Sequence, residues 1–135
     1  MIKMSMSEYQ WQDTDHDRLL ECIKWCQNQF QLRDWEIKLD TGVNMPKELK
    51  PGDDDDYEAL ANISEDSFRA LLWIPLAKLE QGNHNPIEAT IHEMSHILTE
   101  ARNVSDGDEK LVRIISPLFY RLYCREHKIK IAREK

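Results

Sequence analysis

The 135-residue sequence predicts a single α+β domain with an N-terminal helix, a small mixed sheet of three or four strands, and two further helices. Three observations predict this fold class. Apolar residues recur at spacings of three and four near both ends of the chain, which is typical of helices. In the middle of the chain they alternate with polar residues, which is typical of strands. The sequence contains no internal repeat or linker, so we expect one domain over 1–135 with loose termini at 1–12 and 129–135.

The composition disfavours several classes of function. A net charge of −7 argues against nucleic acid as a partner. No apolar run is long enough to span a membrane, and the first residues lack the apolar core of a signal peptide. The three cysteines are not spaced as a secreted disulfide framework. We therefore expect a cytoplasmic protein that binds neither nucleic acid nor membrane. These features do not determine its oligomeric state.

The first predicted helix covers 14–31, with Asp13 or Thr14 as its N-cap. Its inward face repeats every three or four residues and contains Leu19, Ile23, Cys26 and Phe30. Cys22 and Cys26 lie one turn apart, but no second cysteine pair or nearby histidine completes a metal site. Burial in the core is therefore the favoured interpretation of both cysteines.

Three strands are predicted in the middle of the chain, over 34–40, 57–63 and 67–74, because apolar and polar residues alternate in each. Pro75 lacks a backbone N–H group. It is therefore expected to end the third strand or to place that strand at a sheet edge.

The segments 41–56 and 76–85 are predicted to be loops. The first loop contains four consecutive aspartates at 53–56. This run lacks the alternating ligand spacing of a calcium-binding loop, so it indicates a solvated acidic turn.

A helix is predicted over 86–101. Asn85 suits its N-cap, and Pro86 suits the first helical position, where the missing N–H group has no helical partner to lose. Its apolar residues recur at spacings of four, three and four: Ile87, Ile91, Met94 and Leu98.

The last helix is predicted over 108–128. Its inward stripe is expected to contain Leu111, Ile115, Leu118 and Leu122, supported by Ile114 and Phe119. From 121 to 135 there are six Lys or Arg residues and two Glu residues, a difference of +4. This charge favours a helix C-terminus with a solvated tail over a docking patch for an acidic partner.

The stretch His92-Glu93-Met94-Ser95-His96 matches the pattern H-E-x-x-H and lies on the helix predicted over 86–101. Residues four apart project from the same side of a helix, so His92 and His96 could hold one Zn²⁺ ion between their imidazoles. Glu93 follows the first histidine, where its carboxylate can reach a metal-bound water without being a ligand. The alternative is two solvent-facing histidines beside an ordinary helical glutamate.

Together with this motif, three further segments resemble the zincin metallopeptidases, especially the compact gluzincin-like members common in phages and mobile elements. Segments 34–39 and 68–74 resemble strands of such proteins, and segment 108–115 resembles the helix that brings the third metal ligand. The resemblance covers most of 15–125. It implies a zincin-like fold, a zinc cofactor, a peptide or protein substrate, and a location in the host cytoplasm if the protein is phage-encoded.

Catalytic zinc normally takes three protein ligands, so the two histidines need a partner. Metzincins use a histidine six residues after the second one. Arg102 stands at that position and Thr99 replaces the usual glycine, which excludes this subclass. In gluzincins the third ligand is a glutamate from a later helix. The resemblance therefore makes Glu109 the first choice as third ligand and Asp108 the second.

The resemblance also implies roles in catalysis. Glu93 would take a proton from the zinc-bound water and later deliver it to the leaving amine. The oxyanion of such a reaction needs a stabiliser besides the metal, often a Tyr, His or Arg. Tyr120, Tyr123 and His127 are the candidates by position.

In the resembling family, the strand nearest the metal pairs with an extended substrate through main-chain hydrogen bonds. The resemblance assigns this role to part of 68–75, with Leu72 and Trp73 as substrate-binding residues.

The leading hypothesis is a zinc-dependent metallopeptidase. One alternative is a zincin-fold binding or regulatory protein whose zinc is structural or supports no turnover. Another is a hydrolase of a non-peptide amide. Glu93 favours catalysis over binding alone, because a structural zinc site has no need of this carboxylate.

Overall fold

The computed structural model describes residues 14–44, 59–64, 67–82, 84–101 and 108–127, and the side chains of Thr14, Asp15 and Asp108 lie outside this description. The elements in chain order are α1 (Thr14–Phe30), β1 (Glu36–Asp40), β2 (Leu60–Ser64), β3 (Arg69–Trp73), α2 (Leu76–Gln81), α3 (Pro86–Ala101) and α4 (Asp108–Glu126). These four helices and three strands confirm the α+β prediction for the described residues. The aspartates at 53–56, the termini 1–12 and 129–135, and position 102 lie outside them.

The described strands form one mixed sheet in the order β1-β3-β2. β3 lies in the middle, parallel to β1 and antiparallel to β2. Of the two roles predicted for Pro75, placing β3 at a sheet edge is wrong, because β3 has a hydrogen-bonded neighbour on each side. The strand instead ends at Trp73, two residues before Pro75.

The hydrophobic core lies where α3 packs against α1, α4 and the sheet. It contains residues that are less than a tenth exposed from every layer, including Leu19, Cys22, Cys26, Leu72, Ile91 and Met94. Each large aliphatic side chain fully removed from water contributes about 1.5–3 kcal/mol. Cys22, Cys26 and Cys124 are buried and form no disulfide among the described residues, and burial raises the pKa of the Cys26 thiol. Cys22 and Cys26, which both lie on α1, are therefore core residues.

The short helix α2 occupies part of the segment predicted to be a loop, so that prediction is wrong over Leu76–Gln81. Pro75 precedes it with an extended backbone, and the amide of Leu79 donates to the Pro75 carbonyl at 2.9 Å. Leu76 and Leu79 are three residues apart and are both buried. Their burial on one face stabilises this short helix. It was not predicted because only these two apolar residues in the segment follow a helical spacing.

The helix α3 begins as predicted. The Asn85 side-chain oxygen accepts hydrogen bonds from the amides of Ile87 at 2.9 Å and Glu88 at 3.3 Å. Such a cap contributes about 1 kcal/mol. The apolar face is buried at Ile87 and Ile91, and Met94 is buried with it. The spacing of apolar residues therefore predicts correctly which face of α3 is buried.

The helix α4 presents a different face to the core than the sequence pattern predicts. Leu118 is 62% exposed and Ile114 is 64% exposed. The buried residues are Val112, Ser116, Tyr120, Tyr123 and Cys124. Of the predicted inward residues, Phe119 packs against the core, whereas Leu111, Ile115 and Leu122 are only half-buried. The prediction is wrong for Ile114 and Leu118 because α4 carries apolar residues on two opposite faces, and spacing alone does not select between them.

The two helices α3 and α4 run antiparallel. Asn85, just before α3, donates a hydrogen bond to the Tyr120 hydroxyl in the second half of α4. His96, in the second half of α3, lies beside Glu109 in the first turn of α4. This pairing lays the first half of α4 along the side of α3 that carries the histidines. In the described part of the chain, no helix combines the length and apolarity that crossing a bilayer requires.

Candidate metal centre

The helix α3 presents its two histidines side by side. The ring centroids of His92 and His96 are 5.0 Å apart, and both side chains are half-buried. Ile91 and Met94, on the opposite side of α3, lie fully in the core and fix the rotation of the helix. The imidazoles therefore project from α3 toward α4 because of the packing of their apolar neighbours.

Glu109 completes a three-residue group with these histidines. Its Oε1 atom is 3.1 Å from His96 Nε2, and its Oε2 atom is 3.8 Å from His92 Nε2. The candidate ligand atoms of the three residues all lie within 4.8 Å of one another. Tetrahedral zinc with bonds of about 2.0–2.2 Å holds its ligand atoms about 3.3–3.6 Å apart, so the group fits one ion after small side-chain adjustments.

The choice between Glu109 and Asp108 is answered only in part. The structure brings the Glu109 carboxylate to both imidazoles. The Asp108 side chain lies outside the described residues. The His96–Glu109 distance of 3.1 Å is also that of a hydrogen bond, so these contacts form a compact polar cluster without an ion as well.

Arg113 orients the Glu109 carboxylate. Its Nε atom donates to Glu109 Oε2 at 2.9 Å, across one turn of α4. This role of Arg113 was not predicted from the sequence, although residues four apart on a helix are neighbours and the spacing from Glu109 indicates such a pair. Groups that hold a metal ligand in place commonly affect metal affinity, so Arg113 is part of the candidate centre.

Glu93 lies in the same pocket but is only 8% exposed. Burial raises its pKa from 4.5 to about 8, and the nearby charge of Glu109 adds to this effect. A cation bound by the neighbouring residues would favour the charged carboxylate. The arrangement therefore places a proton-accepting group with a raised proton affinity beside the candidate metal ligands.

These groups open into a pocket of about 610 Å³ between α3, α4 and the start of β2. Its lining includes Ala59, Leu60, Leu79, His84, Asn85, Glu88, Ala89, His92, Glu93, His96, Glu109, Arg113 and Ser116. Four of these, His92, Glu93, His96 and Glu109, are predicted site residues. His84 and Ser116 were not predicted, because they reach the pocket only through the way distant segments pack.

The predicted oxyanion stabilisers lie elsewhere. Tyr123 is 1% exposed and packs edge-on against Trp25 with ring centroids 5.2 Å apart. Its pKa is raised, chiefly by burial. His127 stacks on Tyr123 at 4.0 Å. The described pocket lining includes neither residue, so the structure does not bring Tyr123 or His127 to the candidate metal ligands.

Tyr120 is also buried and is absent from the described lining. Its hydroxyl accepts a hydrogen bond from Asn85, so it supports the pocket wall and does not face a substrate. The polar lining residues that could instead stabilise an oxyanion are His84 and Arg113.

The residues predicted to bind substrate, Leu72 and Trp73, also lie outside the described pocket lining. Leu72 is 0% exposed and Trp73 is 2% exposed. The Trp73 indole donates to the Gly42 carbonyl at 2.9 Å, which holds it inside the fold. Because β3 is the central strand, its backbone groups are already paired on both sides. The described strand that reaches the pocket is β2, through Leu60.

Comparison of the chain with protein-family models, with curated proteins and with solved structures finds no match. The described structure is an α+β fold with a group of two histidines and one glutamate that could hold a metal ion.

Proposed function

We propose that the protein is a zinc-dependent metallopeptidase of minimal zincin type, which hydrolyses a peptide bond in a peptide or protein substrate. One observation carries this proposal. Three candidate ligands from two helices, His92, His96 and Glu109, meet in an open pocket directly beside the buried carboxylate of Glu93.

The ligand set favours zinc over calcium and magnesium. Two imidazoles and one carboxylate form a common catalytic zinc set, whereas calcium and magnesium prefer oxygen ligands alone. The pocket beside the three residues leaves space for a fourth ligand, which a catalytic site requires. When bound there, zinc would lower the pKa of a coordinated water and polarise the scissile carbonyl group.

In this proposal Glu93 is the proton carrier. Its carboxylate accepts a proton from the attacking water, holds it in the buried site, and donates it to the leaving amine. General bases work best when their pKa lies near the working pH. The burial that raises the pKa of Glu93 to about 8 without a metal supports this role, because a nearby cation would bring that value down toward neutrality.

The polar residues on the pocket wall stabilise the charge that develops on the substrate. Arg113 carries a permanent positive charge and is held beside the ligand group by its bond to Glu109. His84 lies at another part of the wall. Either side chain could donate a hydrogen bond to the oxyanion.

The strand β2 is the candidate to align an extended substrate. Within the described sheet it is an edge strand, paired on one side with β3. Its first residue, Leu60, lines the pocket. A peptide could therefore pair with the outer edge of β2 by main-chain hydrogen bonds, with its scissile bond near the histidines.

The test is hydrolysis of a mixed peptide library by the zinc-loaded protein, with Glu93→Gln as the matched control. Glutamine keeps the size of the side chain but cannot accept the proton. We expect the wild type to release new amino termini and the variant to lose about 10²–10⁴-fold in rate while keeping its zinc.

Equal rates in the two proteins would contradict the role of Glu93. Zinc bound stoichiometrically without any hydrolysis would instead favour the zincin-fold binding protein. Cleavage restricted to amides outside peptides would favour the other alternative.

A further inference from the structure

The pocket continues away from the metal ligands as a trench between α3 and α4. Arg113 lies one turn and Ser116 two turns beyond Glu109 on α4, at about 6 Å and 10.5 Å along the helix axis. Because α3 and α4 are antiparallel, this direction leads toward the start of α3. At the far end, Asn85 lines the wall and is held to the Tyr120 hydroxyl. A substrate bound at the metal would therefore extend over Arg113 and Ser116.

The polar groups that line the trench differ in how many of their hydrogen-bonding atoms already have a partner in the described part of the protein. Asn85 uses its oxygen to cap α3 and its amide nitrogen to bind Tyr120. Arg113 has one polar partner among the described residues, Glu109, which binds only its Nε atom. The Arg113 side chain is 74% exposed, so the two terminal nitrogens of its guanidinium, which have no acceptor in the described part of the chain, are open to solvent and to a ligand in the pocket.

Ser116 provides the second observation. It is only 7% exposed, and its hydroxyl has no hydrogen-bond partner among the described residues, although it lines the trench. Buried hydroxyls are normally hydrogen-bonded, so one without a described partner in a pocket wall marks a place where a ligand can supply the bond. Ser116 stands three residues after Arg113, so both side chains lie on the same face of α4.

On the basis of the proposed function, we propose that Arg113 and Ser116 form a carboxylate-binding subsite, so that the preferred substrate carries a carboxylate beside its scissile bond. Both side chains donate hydrogen bonds, and guanidinium binds carboxylate in particular through two N–H groups. One turn of α4, about 5–6 Å, spans one to two residues of an extended peptide at about 3.3 Å each.

Acidic residues in the trench do not remove this preference. Glu109 and Glu93 would both lie next to a cation held by His92 and His96, and such a cation would offset their charge. Glu88 lies on the opposite wall and has contacts of its own. The open donors are therefore concentrated on the α4 side, and the carboxylate would bind there.

The first test uses two hydroxamates of equal length, one ending in a carboxylate and one in a primary amide. Succinic acid monohydroxamate and its amide analogue are titrated calorimetrically into the zinc-loaded protein. We expect the acid to bind at least about tenfold more tightly than the amide, because hydrogen bonds to a charged carboxylate are stronger than those to a neutral amide. In Arg113→Met the two probes should bind within about twofold of each other.

Two control variants sharpen this result. Arg121→Met removes an equally charged, exposed side chain from the same helix and should keep the full preference. Ser116→Ala should reduce the preference by about two- to fivefold. Because each variant is compared on the ratio of two probes, a change in zinc affinity cancels from the result.

The second test distinguishes the two sources of carboxylate. Peptides are compared that differ only in a free or amidated C-terminus, or only in Asp or Asn after the scissile bond. If only the free C-terminus raises kcat/KM, the subsite binds the main-chain carboxylate. If only Asp raises kcat/KM, the subsite binds a side-chain carboxylate.

The two proposals fail in different ways. If the protein binds no zinc, the proposed function fails and the subsite fails with it. If zinc binds but the acid and amide probes bind equally to the wild type, the subsite is overturned and the metal centre stands.

Discussion

The helices α3 and α4 both contribute to the candidate metal centre, but they differ in how their apolar residues are arranged. On α3 the large buried apolar residues Ile87, Ile91, Met94 and Ile97 lie on one side and the histidines on another, so the spacing of apolar residues defines one orientation. On α4 the residues Ile114 and Leu118 face solvent while Val112 and Tyr123 are buried. An apolar repeat therefore orients a helix only when the opposite face is polar.

Truncating one apolar residue on each helix tests this difference between α3 and α4 most strongly. Ile91 is 0% exposed, so Ile91→Ala should cost about 4 kcal/mol in the free energy of unfolding. Leu118 is 62% exposed, so Leu118→Ala should cost less than about 0.5 kcal/mol. Urea denaturation of the metal-free protein measures both values. A similar loss in the two variants would show that the outer face of α4 is covered in solution.

The buried carboxylate on α3 should make the stability of the metal-free protein depend on pH. Glu93 has a folded pKa of about 8 against an ordinary value of 4.5, so the folded state binds the proton more tightly. Its contribution to stability is fully present below pH 4.5 and is lost progressively as the pH rises toward 8. Between pH 5 and pH 7.5 the loss should be about 3 kcal/mol.

The measurement is urea denaturation across this range, in the presence of a chelator, for the wild type and for Glu93→Gln. Glutamine does not titrate, so the variant should lack this loss of stability. Parallel pH profiles for the two proteins would show that Glu93 is not the group responsible.

On α4, Arg113 should matter for metal binding and little for folding. Removing a group that orients a metal ligand commonly weakens binding about 10–100-fold, so Arg113→Met should raise the Kd for zinc by about this factor. Competition with a zinc-binding dye measures the change, and Arg121→Met is the control. An unchanged affinity would mean that the Arg113–Glu109 bond is an ordinary surface ion pair.

At the junction of the two helices, Asn85→Ala removes the cap of α3 and the bond to Tyr120. We expect a loss of about 1–2 kcal/mol in the free energy of unfolding. Asn85→Asp keeps the capping oxygen but not the amide donor, so it should recover the capping part. If both substitutions were neutral, the junction would not hold α3 against α4.

What the sequence predicts well is local. The cap at Asn85 and the spacing of His92 and His96 depend on residues within a few positions of each other, and α3 follows from them. Glu109 was favoured through a family resemblance, and the structure brings its carboxylate to both histidines.

What the sequence does not predict depends on packing between distant segments. The place of β3 in the middle of the sheet is set by its partners, and this place buries Leu72 and Trp73, which the family resemblance had assigned to substrate binding. Tyr123 lies outside the described pocket lining because the rotation of α4 about its axis is fixed by its packing against α3. Ser116 reaches the pocket for the same reason.

The most direct test of the metal centre is zinc content by elemental analysis of the wild type, Glu109→Ala and Asp108→Ala after reconstitution and removal of loosely bound metal. We expect about one zinc per chain in the wild type and in Asp108→Ala, and a large loss in Glu109→Ala, because a catalytic site needs three protein ligands. A wild type that retains no zinc, or a Glu109→Ala variant that binds it as tightly as the wild type, would contradict the proposed centre.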